Sequence, residues 1–222
     1  MYLYADTANL TEISYLNDLG VIQGVTTNPS IISKEPKGDF VALINPIGKY
    51  CKANSLSLSV EVFNIEYDAM LKEAIDLSSK LAEFGDLVKI KIPLTHDGLR
   101  VIKKLRELNI KTNATACYTE QQLILAASAG AAYVSLFYCR LDQSGGDVKK
   151  VLERTKNYIL ANSLKTKIIA GSIRTQTDVS NAWRYGADIV TTSKAVIDEM
   201  IPHPKTDEAI SQFTRDFSAW LK

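Results

Sequence analysis

Short apolar or alternating runs recur along the chain, each followed by a stretch with apolar residues at helical spacing. Tyr2 to Asp6 predicts a strand ending in an acid, and Asn9 to Leu19 a helix. Gly24 to Thr27 is a second strand running into Asn28-Pro29-Ser30, where Pro29 favours an extended Asn28 and ends the strand. Phe40 to Lys52 has a helical pattern, with Pro46 restricting where that helix begins or bends. Ser57 to Val62 alternates as a third strand carrying Glu61 near its end. Glu66 to Glu83 follows as a long amphipathic helix, with Met70, Leu71, Ala74, Leu77 and Leu81 on one stripe.

The fourth strand, Leu87 to Thr95, is unusual because its apolar run contains Lys89 and Lys91. The rhythm then continues. Gly98 to Leu108 is a helix with Leu99, Ile102 and Leu105 inward and Arg100, Lys103, Lys104 and Arg106 outward. Strands at Lys111 to Ala116, Ala132 to Phe137, Thr166 to Ala170 and Asp188 to Thr192 alternate with helices at Glu120 to Ala129, Asp147 to Ala161 and Thr177 to Tyr185. A last helix, Thr206 to Leu221, carries Phe213, Phe217 and Trp220 on one stripe, a pattern of packing within the chain or between subunits. Eight strand–helix units without an interrupting linker imply one α/β domain over residues 1–222, a parallel sheet closed as a (β/α)8 TIM barrel. An open doubly wound sheet is the runner-up, but no GxGxxG follows a strand.

Composition narrows the function classes. The 222 residues are 46% hydrophobic and 23% charged, enough for a substantial core. With 26 basic against 25 acidic side chains, net charge +1 offers no general attraction to nucleic acid or a membrane surface. Cys51, Cys117 and Cys139 form no CxxC pair and read as reduced thiols of a cytoplasmic protein. Met1 leads directly into a strand-like Tyr-Leu-Tyr-Ala, so neither a targeting segment nor a membrane span is expected. His96 and His203 lack partners at metal-ligand spacing, so no metal site is expected.

The lysines supply the chemistry. A strand buried on both faces is normally apolar throughout. Burial of an ammonium is costly and favours the neutral amine, the form that attacks a carbonyl to make a Schiff base. Two solvated lysines on an edge strand are the alternative. Barrel enzymes place their chemistry at the carboxyl ends of the strands. Those ends carry Asp6, Thr26 with Asn28, Glu61, Lys91, Asn113 with Thr115, Ser135 with Arg140, and Ser172 with Arg174. An amine nucleophile, two carboxylates and two arginines are what a Schiff-base aldolase acting on a phosphorylated sugar requires.

Four segments carry a family likeness: Asp6-Thr7-Ala8-Asn9, Gly24-Val25-Thr26-Thr27-Asn28-Pro29-Ser30, Lys91-Ile92-Pro93-Leu94-Thr95 and Ala170-Gly171-Ser172-Ile173-Arg174-Thr175. The chain resembles the small transaldolases and the related fructose-6-phosphate aldolases from its first strand to its last helix. The resemblance implies a (β/α)8 barrel, a mechanism without metal or organic cofactor, and a ring-built homo-oligomer, a pentamer or decamer. It implies that Lys91 is the Schiff-base lysine, that Asp6 takes the proton from the C4 hydroxyl, and that Glu61 and Thr115 hold a water. It further implies that Asn28 and Asn113 bind the donor's hydroxyls, with Thr26 and Phe137 beside them. Arg140 and Arg174, with Ser172 and Ser135, bind the phosphate. Lys89 stands where the relatives are usually apolar, so its role is open between a structural one, the preferred reading, and a functional one.

Glu61 and Phe137 match the transaldolase branch; the aldolase branch carries Gln and Tyr there. A tyrosine hydroxyl can help water protonate the enamine, whereas a phenyl ring leaves the enamine to an acceptor aldehyde. The expected function is therefore transfer of a dihydroxyacetone unit between sugar phosphates. The relatives' Ser-Pro-Phe-Val-Gly-Arg is here Ser135-Leu136-Phe137-Tyr138-Cys139-Arg140. This keeps open a ketose with another anionic group, such as a sulfonate, and a Tyr138 hydroxyl that restores aldolase chemistry. A non-catalytic sugar-phosphate-binding barrel is the reading from a different class.

Overall fold

The strand-like runs pair in chain order. In a computed structural model, which describes residues 1–221, they close into an eight-stranded parallel barrel, with the last strand pairing back to the first. The first half runs β1 (Tyr2–Asp6), α1 (Leu10–Asp18), β2 (Gly24–Thr26), α2 (Pro29–Ile32), α3 (Phe40–Ala53), β3 (Ser57–Glu61), α4 (Tyr67–Lys80), β4 (Val88–Pro93) and α5 (His96–Glu107). The second half runs β5 (Thr112–Cys117), α6 (Glu120–Ala129), β6 (Tyr133–Phe137), α7 (Tyr138–Gln143), α8 (Val148–Ala161), β7 (Lys167–Ile173), α9 (Gln176–Arg184), β8 (Ile189–Thr192), α10 (Lys194–Glu199) and α11 (Pro204–Trp220).

Strand parity divides the interior into two regions of different chemistry. Leu58, Val60, Ile90, Ile92, Val134, Leu136, Ile168 and Val190 point outward and pack beneath the helices in the main apolar core. The opposite parity points into the barrel, and there the chain is polar: Ser57 and Ser59 on β3, Lys89 and Lys91 on β4, Asn113 and Thr115 on β5, all buried. Lysines occur in a buried strand because their neighbours Ile90 and Ile92 already supply its apolar face. At the amino-terminal end a separate apolar cluster of Tyr4, Tyr133, Ile169 and Ile189 closes the barrel. Gly24 has no side chain because the Tyr4 ring lies where its Cβ would be, 2.6 Å away.

Several elements depart from the sequence pattern. The Glu66 to Glu83 helix stops at Lys80, and Ala82–Leu87 winds more tightly into β4, with Gly85 at φ +55° breaking the turn. α2, α7 and α10 were not predicted; each has six residues or fewer, too few to show helical spacing. β7 extends past Ala170 to Ile173 through an irregularity in its pairing with β8. α11 buries none of its residues on the barrel, and Phe213, Phe217 and Trp220 are 59–77% exposed. Packing within the chain, one of the two readings of that stripe, is excluded. No helix among the described residues is long and apolar enough to cross a membrane.

Candidate active site

A cavity of about 480 Å³ opens at the carboxyl ends of the strands. Every residue predicted for the site lines it except Glu61, which stands just behind Lys91. Lys91 lies between Glu61 on β3 and Asn113 on β5 in the strand register. Its ammonium donates to Glu61 Oε2 at 2.9 Å and to the Thr27 carbonyl at 2.7 Å. The side chain is 7% exposed, so this is a desolvated pair and not a surface one. The same contact gives the amine a nearby base to which it can lose a proton.

Asp6 approaches from β1. Its Oδ1 accepts the Thr26 hydroxyl at 2.7 Å, and Thr26 Oγ1 lies 2.5 Å from Thr191 Oγ1. Burial raises the Asp6 pKa above the ordinary carboxylate value; Lys91, the Thr26 bond and Lys34 oppose the rise without cancelling it. Asp6 is thereby a carboxyl group inclined to hold a proton, next to an amine.

The polar wall beyond Lys91 is cross-linked. Ser135 donates to Asn113 Oδ1 at 2.7 Å, and Asn113 Nδ2 donates to Ser59 at 3.3 Å. Thr115 Oγ1 is buried with no hydrogen-bond partner. A buried hydroxyl without a partner at a cavity wall matches a place for a water or a substrate oxygen. Asn28 caps α2 by accepting from the Ile31 N–H at 3.0 Å. Its backbone is extended, as the following proline requires.

The far side is basic. α7 starts at the residue after β6, so Phe137 faces the cavity while Arg140 comes round one turn later. The Arg140 guanidinium lies 4.9 Å from the Phe137 ring centroid, and Tyr118 meets that ring edge-on at 5.6 Å. On β7 the pairing with β8 shifts between Ala170 and Ile173, and Ser172 adopts φ +59°. This left-handed residue breaks the two-residue alternation, so Gly171, Ser172, Ile173 and Arg174 all line the cavity. Arg140 and Arg174 are exposed, and neither forms an ion pair among the described residues. The site thus has an amine–carboxylate centre, a second carboxyl group, and two free guanidiniums beyond them.

The family model for transaldolase/fructose-6-phosphate aldolase matches residues 3–221. The chain belongs to that family. A probable transaldolase of Clostridioides difficile (strain 630) is 41% identical over 217 residues, 98% of this chain and 97% of that protein. One from Thermoplasma volcanium is 40% identical over 219 residues, 98% and 95% of the two chains. One from Thermodesulfovibrio yellowstonii is 40% identical over 222 residues, the full length of both. The chain is therefore an enzyme of the transaldolase family.

In this transaldolase-family barrel Lys89 and Lys91 occupy different chemistry. Lys89 is buried one layer lower, donating to Ser57 Oγ at 3.1 Å and to the Asp86 and Leu87 carbonyls at 2.9 and 3.2 Å. Its ammonium sits 5.1 Å from the Tyr133 ring, whose hydroxyl lies 3.3 Å from that of Tyr4. Burial lowers its pKa, and it is not among the residues that line the cavity. Tyr138 is buried in α7 and absent from the cavity, so its hydroxyl does not replace the one Phe137 lacks. Lys34, Thr191, Ser193 and Glu199 line the cavity without having been predicted. Thr191 and Ser193 share the inward parity of β8, a readable signal; Lys34 and Glu199 come from loops and short helices that left none. Among the described residues no three His, Cys, Asp or Glu side chains converge as a metal would need.

Proposed function

We propose that this enzyme is a transaldolase that moves a dihydroxyacetone unit from a ketose phosphate, of the fructose 6-phosphate or sedoheptulose 7-phosphate type, to an aldose phosphate through a Schiff base on Lys91. The observation that carries this reading is the buried Lys91–Glu61 pair at 2.9 Å, in one cavity with Asp6 and two arginines free of carboxylates. Lys91 gives a proton to Glu61 and its neutral amine adds to the ketose C2 carbonyl. Loss of water leaves the imine, with Glu61 and the unpartnered Thr115 hydroxyl holding the water that carries protons. Asp6 takes the C4 hydroxyl proton, the C3–C4 bond breaks toward the imine, and the aldehyde departs. The resulting enamine attacks the acceptor aldehyde, Asp6 returns its proton to the new alkoxide, and hydrolysis frees Lys91.

Positioning completes the set. Asn28, Asn113 and Thr26 fix the donor's hydroxyls against the imine, and Ser135 holds Asn113 in place. Arg140, Arg174 and Ser172 receive the phosphate. Phe137 presents no hydroxyl to deliver a proton to the enamine, which favours transfer over release. The exposed stripe of Phe213, Phe217 and Trp220 on α11 supports a homo-oligomer in which this helix packs on a neighbouring copy. Three buried free thiols suit the cytoplasm, where we place the enzyme. Incubation with fructose 6-phosphate, with and without erythrose 4-phosphate, tests the reading. Sedoheptulose 7-phosphate should form only with the acceptor; free dihydroxyacetone at the same rate without it would make the enzyme an aldolase.

A further inference from the structure

Arg140 and Arg174 stand on separate segments, the first turn of α7 and the turn between β7 and α9. With no carboxylate paired to either guanidinium among the described residues, their spacing is set by the backbones that carry them. The pairing of β6 with β7 supplies that constraint only as far as Phe137 opposite Gly171, three residues before each arginine. Regular pairing of β7 with β8 ends at Ala170 and resumes only at Ile173, with the left-handed Ser172 between.

One carboxylate oxygen bridges the two segments. Asp178 Oδ2 accepts the Thr175 N–H at 3.0 Å and the Thr175 hydroxyl at 2.7 Å. With the return bond from Asp178 N–H to Thr175 Oγ1 at 3.1 Å, these close the capping box that starts α9. The same oxygen takes a third donor, the Cys139 thiol of α7, at 3.3 Å. Thr175 directly follows Arg174, and Cys139 directly precedes Arg140. Cys139 is 6% exposed; burial, then the bond to Asp178, pushes its thiol up to about 12. At neutral pH it therefore remains an S–H donor.

We propose that Asp178, tied to both Cys139 and Thr175, is a positioning residue that fixes the spacing of Arg140 and Arg174 and thereby sets the preference for phosphorylated over unphosphorylated sugars. The inference rests on the reading of those arginines as the anion site. A capping box alone needs only Thr175 and Asp178. The bond from Cys139 adds nothing to the start of α9 but joins it to α7.

Two sets of variants separate the inference from the reading beneath it. The quantity measured is kcat/KM for fructose 6-phosphate divided by kcat/KM for fructose, with a fixed acceptor. Arg174→Ala tests the anion site and should lower that ratio about tenfold or more, as loss of a charge-assisted contact does. Cys139→Ala and Cys139→Val, one smaller and one larger than cysteine, remove the bridging donor and leave the capping box intact. Each should lower the ratio about three- to fivefold, a smaller loss because a thiol is a weak donor. The change should lie in KM for fructose 6-phosphate, with kcat unaltered. Cys139→Ser, whose hydroxyl donates to the same oxygen, should restore the ratio to within about twofold. If Arg174→Ala lowers the ratio while both Cys139 variants leave it unchanged, or slow both sugars equally, the bridge is structural and the proposal is wrong. If Arg174→Ala affects both sugars equally, the anion site itself is misassigned and the proposal falls with it.

Discussion

Replacing Asp6 by Asn should make the protein more stable at neutral pH while it loses activity. Of the two ammonium groups that act on Asp6, Lys91 bonds to Glu61, and Lys34 with it does not offset the burial. Asp6 is left with a hydroxyl as its direct partner, at 2.7 Å from Thr26. Burial raises its pKa above 3.8. Between that value and the raised one the folded chain holds more protons than the unfolded chain, so stability falls as pH rises through this window. Above the raised value the cost is complete. Asparagine cannot ionise, yet its carbonyl can still accept from Thr26. Removing the cost should stabilise the fold by about 1–2 kcal/mol at pH 7, and at roughly 2–4 °C per kcal/mol for a chain of this size, raise Tm by about 2–8 °C. Turnover should fall by about 10²- to 10⁴-fold with the loss of the proton acceptor. Thermal unfolding of both proteins from about pH 8 down to about pH 4 measures the effect, and the Tm gap should close as Asp6 protonates at the acid end. An Asn variant that is less stable at pH 7, or a gap that widens on acidification, would refute the claim that burial dominates at Asp6.

Three further outcomes follow from the geometry. Phe137→Tyr puts a hydroxyl in the cavity that Thr115 also lines, and should shift the enamine about tenfold toward cleavage without acceptor, a change that needs only about 1.4 kcal/mol. Product ratios with and without erythrose 4-phosphate would show it, and an unaltered ratio would remove Phe137 as the branch determinant. Lys89→Met strands Ser57 and two carbonyls in the barrel, so denaturant unfolding should report a loss of about 1–3 kcal/mol while adduct formation on Lys91 persists. Abolished adduct formation in a folded Lys89 variant would contradict its structural role. Joint replacement of Phe213 and Phe217 by Asp should shift the oligomer to smaller species on sizing with light scattering; an unchanged mass would mean α11 does not hold copies together.

Much of this site was readable because it depends on strand parity. Lys91, Glu61, Asn113, Thr115, Ser135 and Phe137 share the inward parity of their strands, so a period of two placed them together, with β5 turning irregular only after Thr115, at Ala116. The two lysines were harder to separate, since parity puts both inside. What distinguishes them is depth: Lys91 lines the cavity, while Lys89 lies against the Tyr133 ring and is held by carbonyls just ahead of its own strand. Thr191 and Ser193 were missed although the parity of β8 points them inward; other features escaped reading because parity fails or leaves no signal. Ser172 enters a left-handed conformation inside a strand, and α7 turns the chain immediately after β6. Asp178 reads locally as a cap, and its contact with Cys139, 39 residues away in the chain, has no local signature. The exposure of α11 was equally hidden, because an apolar helical stripe looks the same whether its partner is the same chain or another.

The central claim is that Lys91 is the amine that carries the substrate. Borohydride reduction of the enzyme with fructose 6-phosphate, followed by proteolysis and mass spectrometry of the peptides spanning β4, tests it most directly. The account predicts a reduced three-carbon or whole-sugar adduct on Lys91 alone, and none in Lys91→Arg, whose guanidinium stays protonated. An adduct on Lys89, or turnover retained by Lys91→Arg, would contradict it.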